Sequence, residues 1–350
     1  MDAVTPGYKL TDAGVIPEGW EAVRLGDIAR IGSGTTPSRN QHALYFAKGT
    51  IAWIKTGDLN NSELEATDES VTEVARVECN LTIYPVGTVV IAMYGGFNQI
   101  GRTGLLTVPA TVNQALSAVC PDAKRIDSKY LIHYLNFFVD RWKDIASSSR
   151  KDPNITRKDV STFQIALPPL AEQRAIAAVL GDLDGLIAAS GRGIAKRRDL
   201  KQAAMQQLLT GRTRLPGFAE PWATRKLGDC LEPVQSGVSV RSVGGSDGER
   251  QAGPRILKTS AVSDGDFDES ETKPIAPEDL CRARLCPKAD TILMSRMNTV
   301  DLVGECGYVP RDIADVFIPD RLWRIEKRID AQVDMKWLTA MLAHSHLKSG

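Results

Sequence analysis

Apolar positions along this chain follow two patterns: short β-branched runs bounded by glycine, and one stretch of helical period about forty residues long. The runs Thr50-Ile-Ala-Trp-Ile54, Thr88-Val-Val-Ile-Ala92 and Phe163-Gln-Ile-Ala-Leu167 predict strands. Gly32-Ser-Gly34, Gly95-Gly96 and Gly101 interrupt them and predict turns or close backbone approaches. From Ser128 to about Trp142, the residues Tyr130, Leu131, Tyr134, Leu135 and Phe138 recur at helical spacing. The first part of the chain therefore reads as mixed α and β, with strands dominating its core. Pro168-Pro169 closes it, and from Leu170 to about Thr210 the period is helical. Alternating steps of four and three pick out Ile176, Leu180, Leu183, Ile187, Ser190, Ile194, Arg197, Lys201, Ala204 and Leu208. Most of these are apolar, which predicts a seam that packs on another helix. Gly181, Gly185, Gly191 and Gly193 each cost roughly 1 kcal/mol against alanine inside a helix, so this helix needs a partner. It would span roughly 60 Å, and Gly211 and Pro216-Gly217 end it.

A second pattern lies over the first: the chain repeats itself once. Trp20-Glu-Ala-Val-Arg-Leu-Gly-Asp27 recurs as Trp222-Ala-Thr-Arg-Lys-Leu-Gly-Asp229, 202 positions on. Lys55-Thr56 recurs as Lys258-Thr259, and Thr88 to Gly104 as Thr291 to Gly307, each 203 positions on. A nearly constant offset over that span predicts two domains of one fold. The expected class is α+β: two similar mixed domains separated by a long coiled-coil-type helix. The expected boundaries are a leading segment at 1–15, a first domain at 16–168, the spacer helix at 169–212 and a second domain at 213–350. Lys336-Trp337-Leu338 matches Lys129-Tyr130-Leu131, and the first copy then continues through a strand and the long helix. The second copy has no such continuation. The expectation is a truncated chain, or a seam covered by another molecule.

Composition removes several function classes. Formal net charge is zero, so a nucleic-acid surface could only be a local patch. The six cysteines are scattered, and only Cys281 and Cys286 lie close together, with no histidine near them. With four histidines in the chain, no zinc site is expected. No apolar run approaches the ~18 residues of a membrane helix. The N-terminus lacks a basic segment followed by an apolar one, so a cytoplasmic protein with reduced thiols is expected. Catalytic motifs are missing: there is no phosphate-cradling P-loop and no amino-methyltransferase tetrapeptide. Glu271-Thr272-Lys273, after Asp264, Asp266 and Asp268, faintly echoes a nuclease acid cluster but reads as a solvated loop.

Basic loop residues are the better lead. Arg39, Lys55, Arg102, Arg150, Lys151, Arg157 and Lys158 mark the first copy, and Arg241, Arg250, Arg255, Lys258, Arg296, Arg311 and Arg321 the second. Tyr94, Asn98, Gln99, Asn113 and Gln114 accompany them. Arginine can pair bidentately with guanine, and Asn or Gln with adenine, in the major groove. The selected DNA-contact candidates are Arg39, Lys55, Tyr94, Asn98, Arg102, Arg150, Arg241, Lys258, Arg296 and Arg311. For each one the plain alternative is a solubilising surface charge. The partner-helix candidates are Ile176, Leu180, Leu183, Ile187, Ile194 and Leu208. Arg192, Lys196, Arg197, Arg198 and Lys201 make the second part of the helix basic.

These residues also carry a likeness. Gly7 to Trp20, then Val23-Arg-Leu-Gly-Asp-Ile28, resembles the opening of a type I restriction-modification specificity subunit. Ile165-Ala-Leu-Pro-Pro-Leu-Ala-Glu-Gln-Arg-Ala-Ile-Ala177 resembles the entry to that family's central helix, and Leu208-Leu-Thr-Gly211 followed by Trp222 to Asp229 completes the pattern. The resemblance implies two target-recognition domains, each reading half of a split, asymmetric site in double-stranded DNA. It implies long helices that set the gap and dock two adenine methyltransferase subunits, and a motor-nuclease subunit in the full complex. S-adenosylmethionine, ATP and Mg would then sit on partner subunits, and this chain would bind no cofactor or metal and carry no catalysis. Self-association through the uncovered helix is a further expectation. The competing reading is a scaffold whose two repeat domains bind proteins. A nuclease is a third.

Overall fold

The computed structural model of the chain describes residues 5–96, 98–147, 154–242, 253–299 and 302–343. The chain forms two compact units, 1–191 and 192–350. The first begins with a hairpin of β1 (Tyr8–Thr11) and β2 (Gly14–Pro17). The hairpin is more than a polar lead-in, because Ala13 and Ile16 are buried in the unit's core. β3 (Glu21–Arg24), α1 (Leu25–Ile28), β4 (Ala29–Ser33), α2 (His42–Tyr45) and β5 (Ile51–Ile54) follow. Then come β6 (Glu63–Leu64), β7 (Ser70–Val71), α3 (Glu73–Glu78), β8 (Val89–Ala92), β9 (Thr103–Leu106), β10 (Ala110–Val112) and β11 (Leu116–Pro121).

Five strands form one sheet in the order β4-β11-β8-β9-β6, and three form another in the order β10-β5-β7. Every residue of β8 is buried, as expected of a continuous apolar run. The strand's period of two divides it between two cores. Val89 and Ile91 pack with Leu25, Ile28, Leu131 and Trp142, whereas Val90 and Ala92 pack with Ile54, Leu64, Val112 and Leu116.

The helix expected from Ser128 to Trp142 is two helices, α4 (Ser128–Phe137) and α5 (Val139–Ser147). Asp127 caps the first through its side chain, which accepts from the amides of Lys129 and Tyr130. The chain turns at Phe138 (φ −96°, ψ 26°). Turning there seats Trp142 face to face on Phe163, ring centroids 4.0 Å apart, with no solvent exposure. Trp142 also lies against Gly101, where an added Cβ would meet its indole at 2.9 Å.

α6 (Arg157–Thr162) and β12 (Gln164–Leu167) lead into α7 (Leu170–Leu208). β12 pairs antiparallel with β3. The Pro168-to-Gln173 segment has a local purpose: Gln173 is fully buried and makes three hydrogen bonds. Its Nε2 donates to the carbonyls of Arg125 (3.0 Å) and Pro168 (2.8 Å), and its Oε1 accepts from the Asp127 amide (2.8 Å). Trp20 Nε1 donates to Glu172 at 3.2 Å. The start of the long helix is thus bolted to the first unit by its own sequence motif. Beyond Ala177 no α7 residue is buried. Gly211, with φ +69°, turns the chain away just after the helix ends, a conformation glycine adopts without a steric cost.

The second unit repeats the strand plan of the first. α8 (Leu227–Cys230), β13 (Gln235–Ser236), β14 (Arg255–Leu257), β15 (Val262–Ser263), β16 (Asp266–Phe267) and β17 (Thr272–Pro274) come first. β18 (Thr291–Ser295), β19 (Cys306–Val309), β20 (Val316–Phe317), β21 (Leu322–Ile325) and α9 (Met335–Ala343) complete it. The order β13-β21-β18-β19 mirrors β4-β11-β8-β9, and β17-β14-β20 mirrors β7-β5-β10. Register repeats as well: Val90 faces Gly104, and Leu293 faces Gly307, each 203 positions on.

The central strand again divides between two cores, Ile292 with Met335 and Leu338, Leu293 with Leu257 and Ile318. The match includes close approaches. A Cβ on Gly34 would strike the carbonyl oxygen of Val112, and one on Gly237 that of Ile318. One edge differs. Residues 221–226 form no strand where β3 does, and Leu227 is 46% exposed where Leu25 is fully buried. In the first unit that edge is covered by β12 and by the Phe163 carbonyl, which accepts from the Leu25 amide.

Candidate nucleic-acid interface

In the first unit, β4, β5, β8 and β10 end, and β11 begins, at the loops 34–41, 55–58, 93–96 with 98–102, and 113–115. Backbone bonds tie these loops into one rim. The Asn113 amide donates to the Ile54 carbonyl (2.9 Å), that of Met93 to Ala115 (2.8 Å) and that of Ile155 to Met93 (2.9 Å). Thr36 Oγ1 donates to the Gln114 amide oxygen. Arg39, Lys55, Tyr94, Asn98 and Arg102 all lie on these loops. Tyr94 and Asn98 are exposed, and Arg102 Nη1 donates to Gln99 Oε1 at 3.0 Å. Positive φ at Gly95 (+125°) and Gly96 (+95°) shapes the loop that carries Tyr94.

Arg39 and Lys55 are not free cations. Arg39 Nη1 and Nη2 donate to the two carboxylate oxygens of Glu69 at 2.6 and 3.1 Å, and Lys55 Nζ donates to the same group at 2.7 Å. Hydrogen bonds from Arg39, then from Lys55, bring the Glu69 carboxyl down to a pKa of about 2. The Arg39 guanidinium also lies 4.5 Å from the Phe46 ring centroid and 5.3 Å from that of Trp53. Both rings are buried, so the cation stacks on a fixed aromatic floor. The guanidinium fork expected to face a guanine is turned onto a carboxylate.

The second unit builds the equivalent rim from 237–241, 258–261, 296–299 with 302–303, and 318–321. The Arg296 amide donates to the Arg321 carbonyl (3.0 Å), matching the Met93-to-Ala115 bond. The Gly304 amide donates to Ser295 (2.8 Å) as the Gly101 amide does to Ala92 (3.0 Å). Arg241, Lys258 and Arg296 lie on this rim. Arg241 is exposed, and its backbone is fixed by Asp279, whose carboxylate accepts from its amide at 2.8 Å. Arg296 is exposed, 5.9 Å from the Trp323 ring centroid. Lys258 pairs with Glu271 at 3.5 Å.

Arg311 follows β19 at the other end of the β18–β19 hairpin, and its guanidinium donates to Glu269 at 2.6 Å. It does not join the rim. Arg150, with Lys151 and Arg250, lies outside the described residues.

The carboxylates were the missed members of this site. Glu69 lies 14 residues from Lys55 and 30 from Arg39, and only the pairing of β5 with β7 brings it near. Glu271, read as part of a solvated acidic loop, instead holds Lys258 and accepts from Ser260 Oγ at 2.6 Å. Among the described residues no three His, Cys, Asp or Glu side chains are grouped to hold a metal, and no helix is long and apolar enough to cross a membrane.

The candidate seam is open. Ile176 packs on the first core, whereas Leu180, Leu183, Ile187, Ile194 and Leu208 are exposed, Ile187 by 70%. At the base of α7, Trp20, Tyr134, Phe137, Phe138, Ile176 and Leu180 line an apolar groove of about 460 Å³.

Residues 17–196 match the type I restriction modification DNA specificity domain family. The chain is 30% identical over 184 residues to the type I restriction enzyme MjaIX specificity subunit of Methanocaldococcus jannaschii, covering 51% of this chain and 41% of that protein. It is 27% identical over 183 residues to the EcoR124I/EcoR124II specificity subunit of Escherichia coli, covering 51% and 44%. With the EcoKI specificity subunit of Escherichia coli the identity is 24% over 337 residues, covering 91% of this chain and 70% of that one. The chain thus spans less than half the length of the first two relatives. Its fold matches the type I restriction-modification S subunit from M. genitalium with a TM-score of 0.57 at 14% identity, covering 97% and 80% of the two chains. It matches a chain from a structure of type I R-M complex assembly with a TM-score of 0.54 at 18% identity, covering 95% and 82%.

Proposed function

We propose, for a chain that belongs to the type I restriction-modification DNA specificity family, that each unit reads a short stretch of double-stranded DNA with its own rim. The chain itself is a non-catalytic specificity subunit. Methyltransferase subunits dock on α7, bind S-adenosylmethionine and modify adenine. A motor-nuclease subunit, where present, brings ATP and Mg. The observation that carries this reading is the repeated frame with unlike rims. Strand order, hairpin register and glycine contacts recur, while the rim side chains change: Tyr94 corresponds to Met297 and Gln99 to Leu302. One scaffold presenting two different surfaces suits an asymmetric, two-part target, because identical readers would give a palindrome. Adenine methylation requires the base flipped from the stack, so the recognised bases must be held in fixed register to the enzyme that acts on them.

The test is co-purification with the methyltransferase encoded beside this chain, followed by genome-wide mapping of methylated adenines. The expected result is a split motif of two short halves with a constant gap. A palindrome would instead mean that two copies pair through α7 and read with the same unit. A stable complex that methylates nothing, and that shows no salt-dependent affinity for DNA, would overturn the DNA reading in favour of a protein scaffold, which the zero net charge favours.

A further inference from the structure

The Lys–Glu pair recurs on both rims, as does the threonine after each lysine, whereas the exposed Tyr94 of the first rim gives way to Met297 in the second. Lys55 pairs with Glu69 at 2.7 Å and Lys258 with Glu271 at 3.5 Å. The lysines are 203 positions apart and the glutamates 202. Each lysine is 25% exposed, and the carboxylates are 30% and 37% exposed, so both pairs sit at the rim surface. Each lysine immediately follows a strand, β5 or β14, and each glutamate immediately precedes that strand's antiparallel neighbour, β7 or β17. In the first unit Arg39 joins the same carboxylate over the floor of Phe46 and Trp53. A short 3₁₀ turn follows each lysine, Thr56–Asp58 and Thr259–Ala261.

A surface built only for affinity to a polyanion has no use for a carboxylate between its cations. We propose that Glu69 and Glu271 are specificity-determining positioning residues that hold the rim cations and compete with DNA phosphate for them. This inference rests on the DNA-reading function proposed above. A phosphate alone must displace the carboxylate to reach Lys55 or Lys258, and it is repelled by that carboxylate. A duplex that also satisfies the neighbouring base-reading side chains gains enough to complete the exchange. The carboxylates thereby lower sequence-independent binding more than specific binding. Phosphate contacts carry no sequence information, so restraining them widens the difference between right and wrong sites.

The full chain, in complex with its methyltransferase, is mixed with a duplex pool of random sequence, and binding is followed against salt. The wild type should show a shallow slope. Glu69→Gln should bind the pool several-fold more tightly at low salt. Its log–log slope should steepen by about 0.9 for each phosphate newly neutralised. Sequences selected from the pool should lose definition in one half-site alone, and Glu271→Gln should blur the other half. Glu69→Asp keeps the charge and should restore the wild-type slope and selection, an outcome that a purely structural role would not produce. If Glu69→Gln fails to fold, Glu271→Gln carries the same test, because its carboxylate belongs to a different unit. Unchanged slope and unchanged selection in both Gln variants, with normal wild-type binding, would overturn this inference and leave the DNA reading intact. A failure of Glu69→Asp to restore the wild-type slope would also overturn it. A wild type with no salt-dependent affinity for DNA would overturn both.

Discussion

Arg39 and Lys55 hold the Glu69 carboxyl at a pKa of about 2, against an ordinary value of 4.5. The folded chain therefore binds fewer protons there than the unfolded chain. The contribution to stability is complete above pH 4.5 and is lost as pH falls toward 2. All three side chains are partly solvated, so it amounts to about 1 kcal/mol or less. Acid titration of unfolding should show a flatter limb in this window for Glu69→Gln than for the wild type. A second residue-scale test concerns the repeated glycines. Gly34→Ala and Gly237→Ala would each drive a Cβ into a backbone carbonyl, which has no rotamer to escape through. Each should destabilise its own unit by at least about 1–3 kcal/mol, read by urea denaturation. Tolerance of either alanine would show that the crossing strands can part. The cations of the rim were legible in the sequence because charge on a loop needs no fold to be noticed. Their acidic partner was not, because strand pairing alone joins Glu69 to Lys55.

The elements were legible in proportion to their periodicity. α7 is legible from its apolar spacing and its flanking proline and glycine: the helical period runs from Leu170 to about Thr210, the expected spacer from 169 to 212, and the helix from Leu170 to Leu208. The break at Phe138 was not, since the apolar residues of α4 and α5 keep a helical spacing across it. Residues 1–15 looked polar, yet Ala13 is buried once β1 and β2 fold over the core. For α7 two opposite outcomes are expected. Gly181, Gly185, Gly191 and Gly193 have open space where a Cβ would sit, so each change to alanine should stabilise the helix by about 0.4–1 kcal/mol. Slower amide exchange along 178–196 would register it. Gln173→Ala should do the reverse. It strips three hydrogen bonds from a buried site, and with each orphaned group costing about 1–3 kcal/mol, a loss of roughly 2–4 kcal/mol is expected in calorimetry. Leu183→Glu and Ile187→Glu change exposed positions. They should leave the isolated chain within about 0.5 kcal/mol of wild type and abolish co-purification with the methyltransferase. Retained co-purification would move the docking surface off the seam.

For the whole molecule, the duplication was the most legible property, because a constant offset survives divergence that hides individual contacts. Its structural basis is the shared β8–β9 and β18–β19 hairpin register and the shared carbonyl contacts of Gly34 and Gly237. Length is less constrained. Ala110 and Val316, parallel partners of Ala52 and Arg255, lie 206 positions apart while their partners lie 203 apart. The second unit therefore absorbs three more residues between its hairpin and the next strand. Gly34 and Gly237, where a Cβ would strike a backbone carbonyl, recur at the start of the two rims, whereas the exposed Tyr94 and Met297 differ. On the DNA reading proposed above, a lineage carrying this chain would drift toward a new target by exchanging or lengthening loops, without repeatedly crossing the stability threshold that core changes would approach.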